Sequence, residues 1–296
     1  MAITGTGAVD DPYLVHSYEE LKTPVTGSPT ASDNNTYVKL ANDINCNDYG
    51  DIWEWGTITL SNYAWNIDLD GHTIKNIMIK SENSLFEGRK EGQVIHNGKI
   101  LNVFNNSGEC IVKGDKLKLK DISMSVNGAG LTGKAFNGIF IENCTIYFKI
   151  NKLNDYFYYI NSGSNGLIKN SDFYFEINNM NSRSLFYNVS TNNKSADNCR
   201  FRGAVSGMCN TGYLLKNSGC INSVVEIDTT DITWNSTYDT PYRVPCDGIS
   251  TGIINTEISP NMVGGTSGLT ACTTAQMRDA DYLNSIGFTV VKVGER

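Results

Sequence analysis

Long apolar runs are missing from this chain. None of its 296 residues lies in a stretch approaching the roughly 20 apolar residues that a membrane-spanning helix needs. Charge is thin too, at 19% of residues, and basic residues are the fewer, 24 against 31 acidic, for a net charge of −7. That balance argues against a general nucleic-acid binder. With 40% hydrophobic residues the chain is too apolar to be disordered. Ala, Glu and Lys seldom recur in periodic runs, which excludes a predominantly helical protein. Only 3 histidines occur and no Cys-x-x-Cys pair, so neither a zinc site nor another metal or cofactor is expected. What remains is a soluble, core-forming chain of one or two domains.

What is plentiful is asparagine, with 35 residues, accompanied by 28 glycines. Both serve turns. The cysteines are Cys46, Cys110, Cys144, Cys199, Cys209, Cys220, Cys246 and Cys272. An even number is compatible with disulfides in a secreted protein. The opening residues 1–8 carry neither the basic nor the apolar region of a secretory leader. Reduced, mostly buried thiols are therefore the first expectation, and bridges the alternative.

The asparagines reveal an internal repeat. Its centres are Gly71, Asn97, Asp121, Asn143, Asn170, Asn198, Asn222 and Asn255. Two residues before each stand Leu69, Ile95, Leu119, Ile141, Ile168, Ala196, Cys220 and Ile253, and three residues after each stand Ile74, Ile100, Met124, Ile146, Phe173, Phe201, Val225 and Ile258. All sixteen flanking positions are apolar or small, and the intervals run from 22 to 33 residues. Within a repeat the period is two: Ile146, Phe148 and Ile150 alternate with polar residues, as do Phe173, Phe175 and Ile177. A further short strand precedes each centre, as in residues 84–88, 110–114, 184–187 and 212–215. No segment between centres has the length and period of a crossover helix, so a doubly wound α/β fold is excluded.

Strands of one repeat must then stack in parallel on those of the next, which makes a β-solenoid. Asparagine tolerates the left-handed backbone of a tight bend, and stacked amides can bond from coil to coil. A structural ladder of Asn97, Asn143, Asn170, Asn198, Asn222 and Asn255 is expected, with Asp121 as its exception. The coils Leu69-Asp70-Gly71-His72-Thr73-Ile74, Ile95-His96-Asn97-Gly98-Lys99-Ile100 and Ile168-Lys169-Asn170-Ser171-Asp172-Phe173 resemble those of right-handed parallel β-helix proteins, of the tailed-phage virion and bacterial-surface type. The resemblance covers residues 36–260. It implies an all-β fold of about eight or nine coils and leaves activity open, because such folds host lyases, hydrolases, adhesins and tailspikes.

The ends predict caps. Ser17 with Glu20 makes a capping box for a short helix, and the segment from Gly5 resembles the opening of β-helix proteins from phages and gut bacteria. Thr273 with Gln276 makes a second box, in a tail similar to segments that close repeat regions in bacterial surface and phage proteins. The expected organisation is an N-terminal cap over 1–35, the β-helix over 36–260 and a C-terminal cap with a short helix over 261–296, forming one complete domain.

No catalytic triad, metal spacing or phosphate-binding loop is present. Glycan hydrolysis would need two carboxyls placed together. The column before each centre reads Asp70, His96, Lys120, Glu142, Lys169, Asp197, which predicts a charge ladder on a solvated face. Asp172 neighbours Arg200 and Glu176 neighbours Lys149, so both acids are expected to be paired and structural. Tyr147, Tyr174 and Arg202 fall in one outward column, where stacked rings beside a cation can dock a sugar, or can only stabilise the sheet. Trp234, Tyr238 and Tyr242 lie in the longest interval and predict either a recognition loop or a loop folded onto the solenoid. Trp53, Trp55 and Trp65 are expected to cover the first coils.

The expected role is a non-enzymatic structural virion protein, a tail spike, fibre or head decoration contacting host surface glycans and other virion proteins. The resemblance implies a homo-oligomer, a trimer in the first instance, located in the virion, while the acidic balance and the lack of apolar runs lead to no nucleic-acid partner and no membrane insertion being expected. A secreted bacterial surface adhesin and a polysaccharide lyase or glycoside hydrolase are the alternatives.

Overall fold

A computed structural model gives the architecture. It describes residues 3–22, 35–49, 56–60, 64–79, 84–88, 92–105, 110–114, 117–131, 133–160, 167–182, 185–188, 196–209, 213–216, 220–234, 244–246, 251–259 and 268–288. The chain winds as a parallel β-solenoid. Eighteen strands form one hydrogen-bonded sheet that bends around the corners, and eight short strands stack as a second. Pairings between the described strands are parallel, and an isolated antiparallel bridge joins Thr4 to Leu14.

Register follows the apolar flanks of the repeat. Ile74, Ile100, Met124, Ile146, Phe173, Phe201 and Val225 are successive partners down one column. Ile95, Leu119, Ile141, Ile168, Ala196 and Cys220 form another. Both columns point inward into one continuous core. Phe157 sits inside it, edge to face with Phe136, Phe148, Phe173 and Phe175 at 4.9–5.8 Å between ring centres. Trp65 is fully buried in the first coils.

The corners explain the asparagines. Asp70, Asn97, Asp121, Asn143, Asn170, Asn198 and Asn222 all hold left-handed backbone, with φ between 49° and 60°. Asn and Asp bear this conformation at lower cost than other residues with side chains. These seven corners bound six complete turns, fewer than the eight or nine coils expected, and among the described residues the second sheet extends one strand beyond them at each end. Amides climb the column: Asn143 Nδ2 donates to Asp121 Oδ1 at 3.0 Å, Asn170 to Asn143 at 3.2 Å and Asn198 to Asn170 at 2.7 Å.

Two expected members of the repeat sit elsewhere. At the first corner Ile67, not Leu69, pairs with Ile95, while Ile74 keeps its pairing with Ile100. Two additional residues are therefore looped out there, and the left-handed turn takes Asp70 and Gly71 together. The loop lies against Gly98, where a Cβ would come within 2.4 Å of Leu69 Cβ. At the last corner Ile253 pairs with Val224, so the residue level with Asn222 is Thr251. Thr251 Oγ1 accepts from the Asn222 amide at 3.0 Å. Asn255 does not belong to the ladder. It is fully buried, accepting from the amides of Glu257 and Ile258 and donating to Thr274 Oγ1.

Just past the corners runs a column of small polar groups, Cys144, Ser171, Cys199 and Ser223. Each serine hydroxyl donates to the carbonyl two residues back, Ser171 to Lys169 at 2.7 Å and Ser223 to Ile221 at 2.9 Å. Each thiol does the same, Cys144 to Glu142 at 3.2 Å and Cys199 to Asp197 at 3.3 Å. The serine oxygens also accept the Cys144 and Cys199 amides. Cys144 and Cys199 lie two levels apart, ~9.6 Å at ~4.8 Å per level, beyond the ~7 Å Cα reach of a disulfide. The seven cysteines whose side chains are described are buried and unbridged; the Cys246 side chain lies outside the described residues.

The segments expected as caps join the long sheet. The first contributes the strand Tyr13–Val15 and helix α1 (Tyr18–Lys22), and the second the strand Leu269–Cys272, α2 (Thr274–Arg278) and α3 (Ala280–Ser285). Thr273 and Gln276 form a reciprocal capping box. At α1 only half of the box appears. Ser17 Oγ accepts from the Glu20 amide, while Glu20 Oε2 takes the amide of His16. Leu283 closes over Ile253 and Cys272 at the C-terminal end.

Candidate functional site: the outward face of the central coils

Period two sends alternate residues of the long strands outward. On five successive levels these are Ser123, Ser125 and Asn127; Thr145, Tyr147 and Lys149; Asp172, Tyr174 and Glu176; Arg200, Arg202 and Ala204; Val224, Glu226 and Asp228. Stacked strands lie ~4.8 Å apart, so the three columns form a near-continuous patch of side chains.

The ions of this patch bond across columns. Asp172 is level with Arg200, but its partner is Arg202, whose Nη2 donates to Asp172 Oδ2 at 2.8 Å. Arg200 instead reaches the next level, placing Nε and Nη2 on Glu226 Oε2 at 3.0 and 2.6 Å. Glu176 accepts from Lys149 at 2.6 Å, in its own column, and from the Tyr147 hydroxyl at 2.8 Å. The expected pairing of Glu176 with Lys149 is present, and that of Asp172 with Arg200 is replaced by the diagonal. Lys149 and then Tyr147 pull the Glu176 carboxyl below its ordinary range. In return the bond to Glu176, ahead of burial, pushes the Tyr147 phenol up to about 12.

The charge column before the corners behaves likewise. Register brings Asp68, not Asp70, beside His96. Lys120 and Glu142 are level partners, yet Glu142 bonds Lys118 at 3.1 Å and Lys120 lies 4.0 Å from Asp121. Asp70 pairs with Lys39 at 3.0 Å.

Tyr147 and Tyr174 stack at 4.8 Å with 6° between ring planes. Register stacking orients the rings across the solenoid axis, so one face of each ring is spent on the other. The far face of Tyr174 is covered by the Arg202 guanidinium, 5.9 Å from the ring centre. Tyr174 therefore has no ring face for a sugar. The uncovered face belongs to Tyr147, which stands above Ser125 and is 37% exposed.

Of the other aromatic candidates, Trp234 ends the strand Ile232–Trp234, and its backbone pairs with Cys209. Its side chain, and all of Tyr238 and Tyr242, lie outside the described residues, as do Trp53 and Trp55. Other ladders had no counterpart in the sequence reading. Asn102 Nδ2 donates to Asn76 Oδ1, Asn76 Nδ2 to Asn45 Oδ1, and Asn178 Nδ2 to Asn151 Oδ1. The available signal was the spacing of Asn76 and Asn102, which lie five residues after the corners at Gly71 and Asn97. Among the described residues no group of three or more His, Cys, Asp or Glu is placed to hold a metal ion. No helix among them is long and apolar enough to cross a membrane.

No family model matches the chain, and no curated protein does. A solved structure, that of a "putative immunoglobulin A1 protease" from Bacteroides ovatus, is similar to it at 12% identity over 95% of this chain and 89% of that one, with a TM-score of 0.45.

Proposed function

We propose that the protein is a non-enzymatic β-solenoid that presents its outward face to surface glycans, as a structural protein of a tailed-phage virion. The observation that carries this reading is the set of closed ion pairs on the face. Asp172, Glu176 and Glu226 are held by Arg202, Lys149 and Arg200. Glycosidic cleavage uses two carboxyls across the scissile bond, one of them kept protonated. Each of these three carboxyls is already taken up by a cation of the face. Side chains fixed by their neighbours lose little freedom when a ligand arrives, which suits a binding platform. The placement in a virion rests on the resemblance of the terminal segments and coils to phage β-helix proteins.

The test is incubation of the purified protein with capsule and wall polysaccharide from candidate hosts. Retention of the glycan without shortening is expected. Depolymerisation that is lost in Asp172→Asn with Glu176→Gln would overturn the non-enzymatic reading. Mass spectrometry of purified particles checks the location, and absence from particles would turn the reading to a bacterial surface adhesin.

A further inference from the structure

The outward face is not level. On the strand Thr145–Ile150, Thr145, Tyr147 and Lys149 are exposed. Two levels away, on the strand Val94–Asn105, Lys99, Asn102 and Phe104 are exposed. Between them the strand Lys118–Gly128 presents Ser123, Ser125 and Asn127, all half-buried. Register fixes the order: Lys99, Ser123 and Thr145 are successive partners, as are Phe104, Asn127 and Lys149. Ser123, Ser125 and Asn127 are shorter than Lys99 and Phe104 on one side and Tyr147 and Lys149 on the other, which makes a furrow one strand wide, its walls ~9.6 Å apart at ~4.8 Å per level. The Tyr147 ring face that the stack leaves uncovered forms part of one wall. On the floor, the Ser125 hydroxyl accepts the Asn102 amide at 2.9 Å, which leaves its own proton to donate.

Charge in the furrow is one-sided. Its floor and walls contain two lysines and no carboxylate. Lys149 is balanced by Glu176. Lys99 has Thr73 and Ser123 as column neighbours, and no carboxylate pairs with it among the described residues. Asp121, at the corner end of the floor strand, is engaged with Asn143 and lies 4.0 Å from Lys120.

We propose that this furrow binds an acidic sugar residue, its ring against Tyr147, its hydroxyls on Ser123, Ser125 and Asn127, and its carboxylate on Lys99. The assignment rests on the glycan-binding reading above and narrows it to chains containing uronic or sialic acids. An aromatic wall takes the apolar face of a pyranose, and convergent small polar groups take its hydroxyls. An unpaired cation selects for a negative group, which a neutral ring lacks.

Isothermal titration with galacturonate, glucuronate and sialate oligosaccharides, each alongside its methyl ester, tests this. At least one acid is expected to bind about tenfold more tightly than its ester, a difference that added salt reduces. Lys99→Ala should bring the acid to the affinity of the ester, and Tyr147→Ser should weaken both. Lys169→Ala, an exposed lysine in another column, should change neither. Circular dichroism establishes that each variant is folded. Equal affinity for acid and ester, or an unchanged Lys99→Ala, overturns the acidic-sugar assignment and leaves glycan binding standing. Binding of no glycan, in this panel or among host polysaccharides, overturns both.

Discussion

Arg202 reaches back one level to Asp172 at 2.8 Å, passing over the Arg200 that register sets beside that carboxylate. Asp172 is only 7% exposed, and its Oδ1 has no hydrogen-bond partner among the described residues. Removing Arg202 leaves that carboxylate covered and uncompensated. Arg202→Met is expected to cost about 1–2 kcal/mol, the value for a buried charge discounted because Arg202 itself is more than a third exposed. Arg200→Met should cost less, because Glu226 retains more solvent. Urea midpoints of the two variants check the order. In a double-mutant cycle Asp172→Asn should recover most of the loss in Arg202→Met.

The corner residues separate backbone strain from amide bonding. Asn170 has φ 49° and both donates to Asn143 and accepts from Asn198. Asn170→Gly keeps the backbone at ease and loses the two amide bonds. Asn170→Ala loses the bonds and adds about 1–2 kcal/mol of left-handed strain. Alanine should therefore lower the melting temperature more than glycine. Equal effects would show that the ladder is held by its amides alone.

Burial pushes the thiols of Cys46, Cys144 and Cys199 up to about 12. In the unfolded chain a thiol titrates near ~8.5. Between those values the unfolded chain releases protons that the folded one keeps, so stability is full below about pH 8.5 and falls as pH rises toward 12. Denaturant midpoints at pH 8 and pH 10.5 should show the loss. Cys144→Ser with Cys199→Ser should fold, since Ser171 and Ser223 already fill alternate places in that column, and should flatten the alkaline slope. A thiol reagent should reach these cysteines only after denaturation.

The C-terminal capping box predicts a local effect. Thr273→Ala removes the acceptor for the Gln276 amide and should destabilise α2 by about 1 kcal/mol. Because solenoid levels contact only their neighbours, hydrogen exchange should rise around residues 269–283 and stay unchanged near Phe157. Faster exchange throughout would show that the cap holds the whole stack.

The sequence made the coils legible because core columns repeat the same apolar types at the same offsets. Ile95 and Ile100 stand about Asn97 as Ile168 and Phe173 stand about Asn170. The repeat loses its phase where a corner changes length. Two additional residues around Leu69 shift its partner, and a later corner at Thr251 detaches Asn255 from the ladder. On the outward face, residue types were readable and contacts were not. Arginine spans more than one level, so Arg200 and Arg202 chose diagonal acids over level ones. Register put Tyr147 above Ser125, but which ring face stayed open followed only from the stacking angle and the position of Arg202. The furrow depends on side-chain length on three successive strands, a contrast that no single repeat displays.

Left-handed corners at a fixed place in every turn make chain length a quantised variable. Excising residues 143–169 would join Glu142 to Asn170, one corner replacing the next, with strand polarity and inward faces preserved. A cut that removes only part of a long strand would instead break its pairing with the levels on either side. The same excision would set Tyr174 directly over Ser125 and rebuild the furrow wall from the next level, with Glu176 standing where Lys149 had been. Whole-turn gain or loss is thus a route by which a solenoid of this kind can exchange the charge of its furrow in one step while its core continues undisturbed.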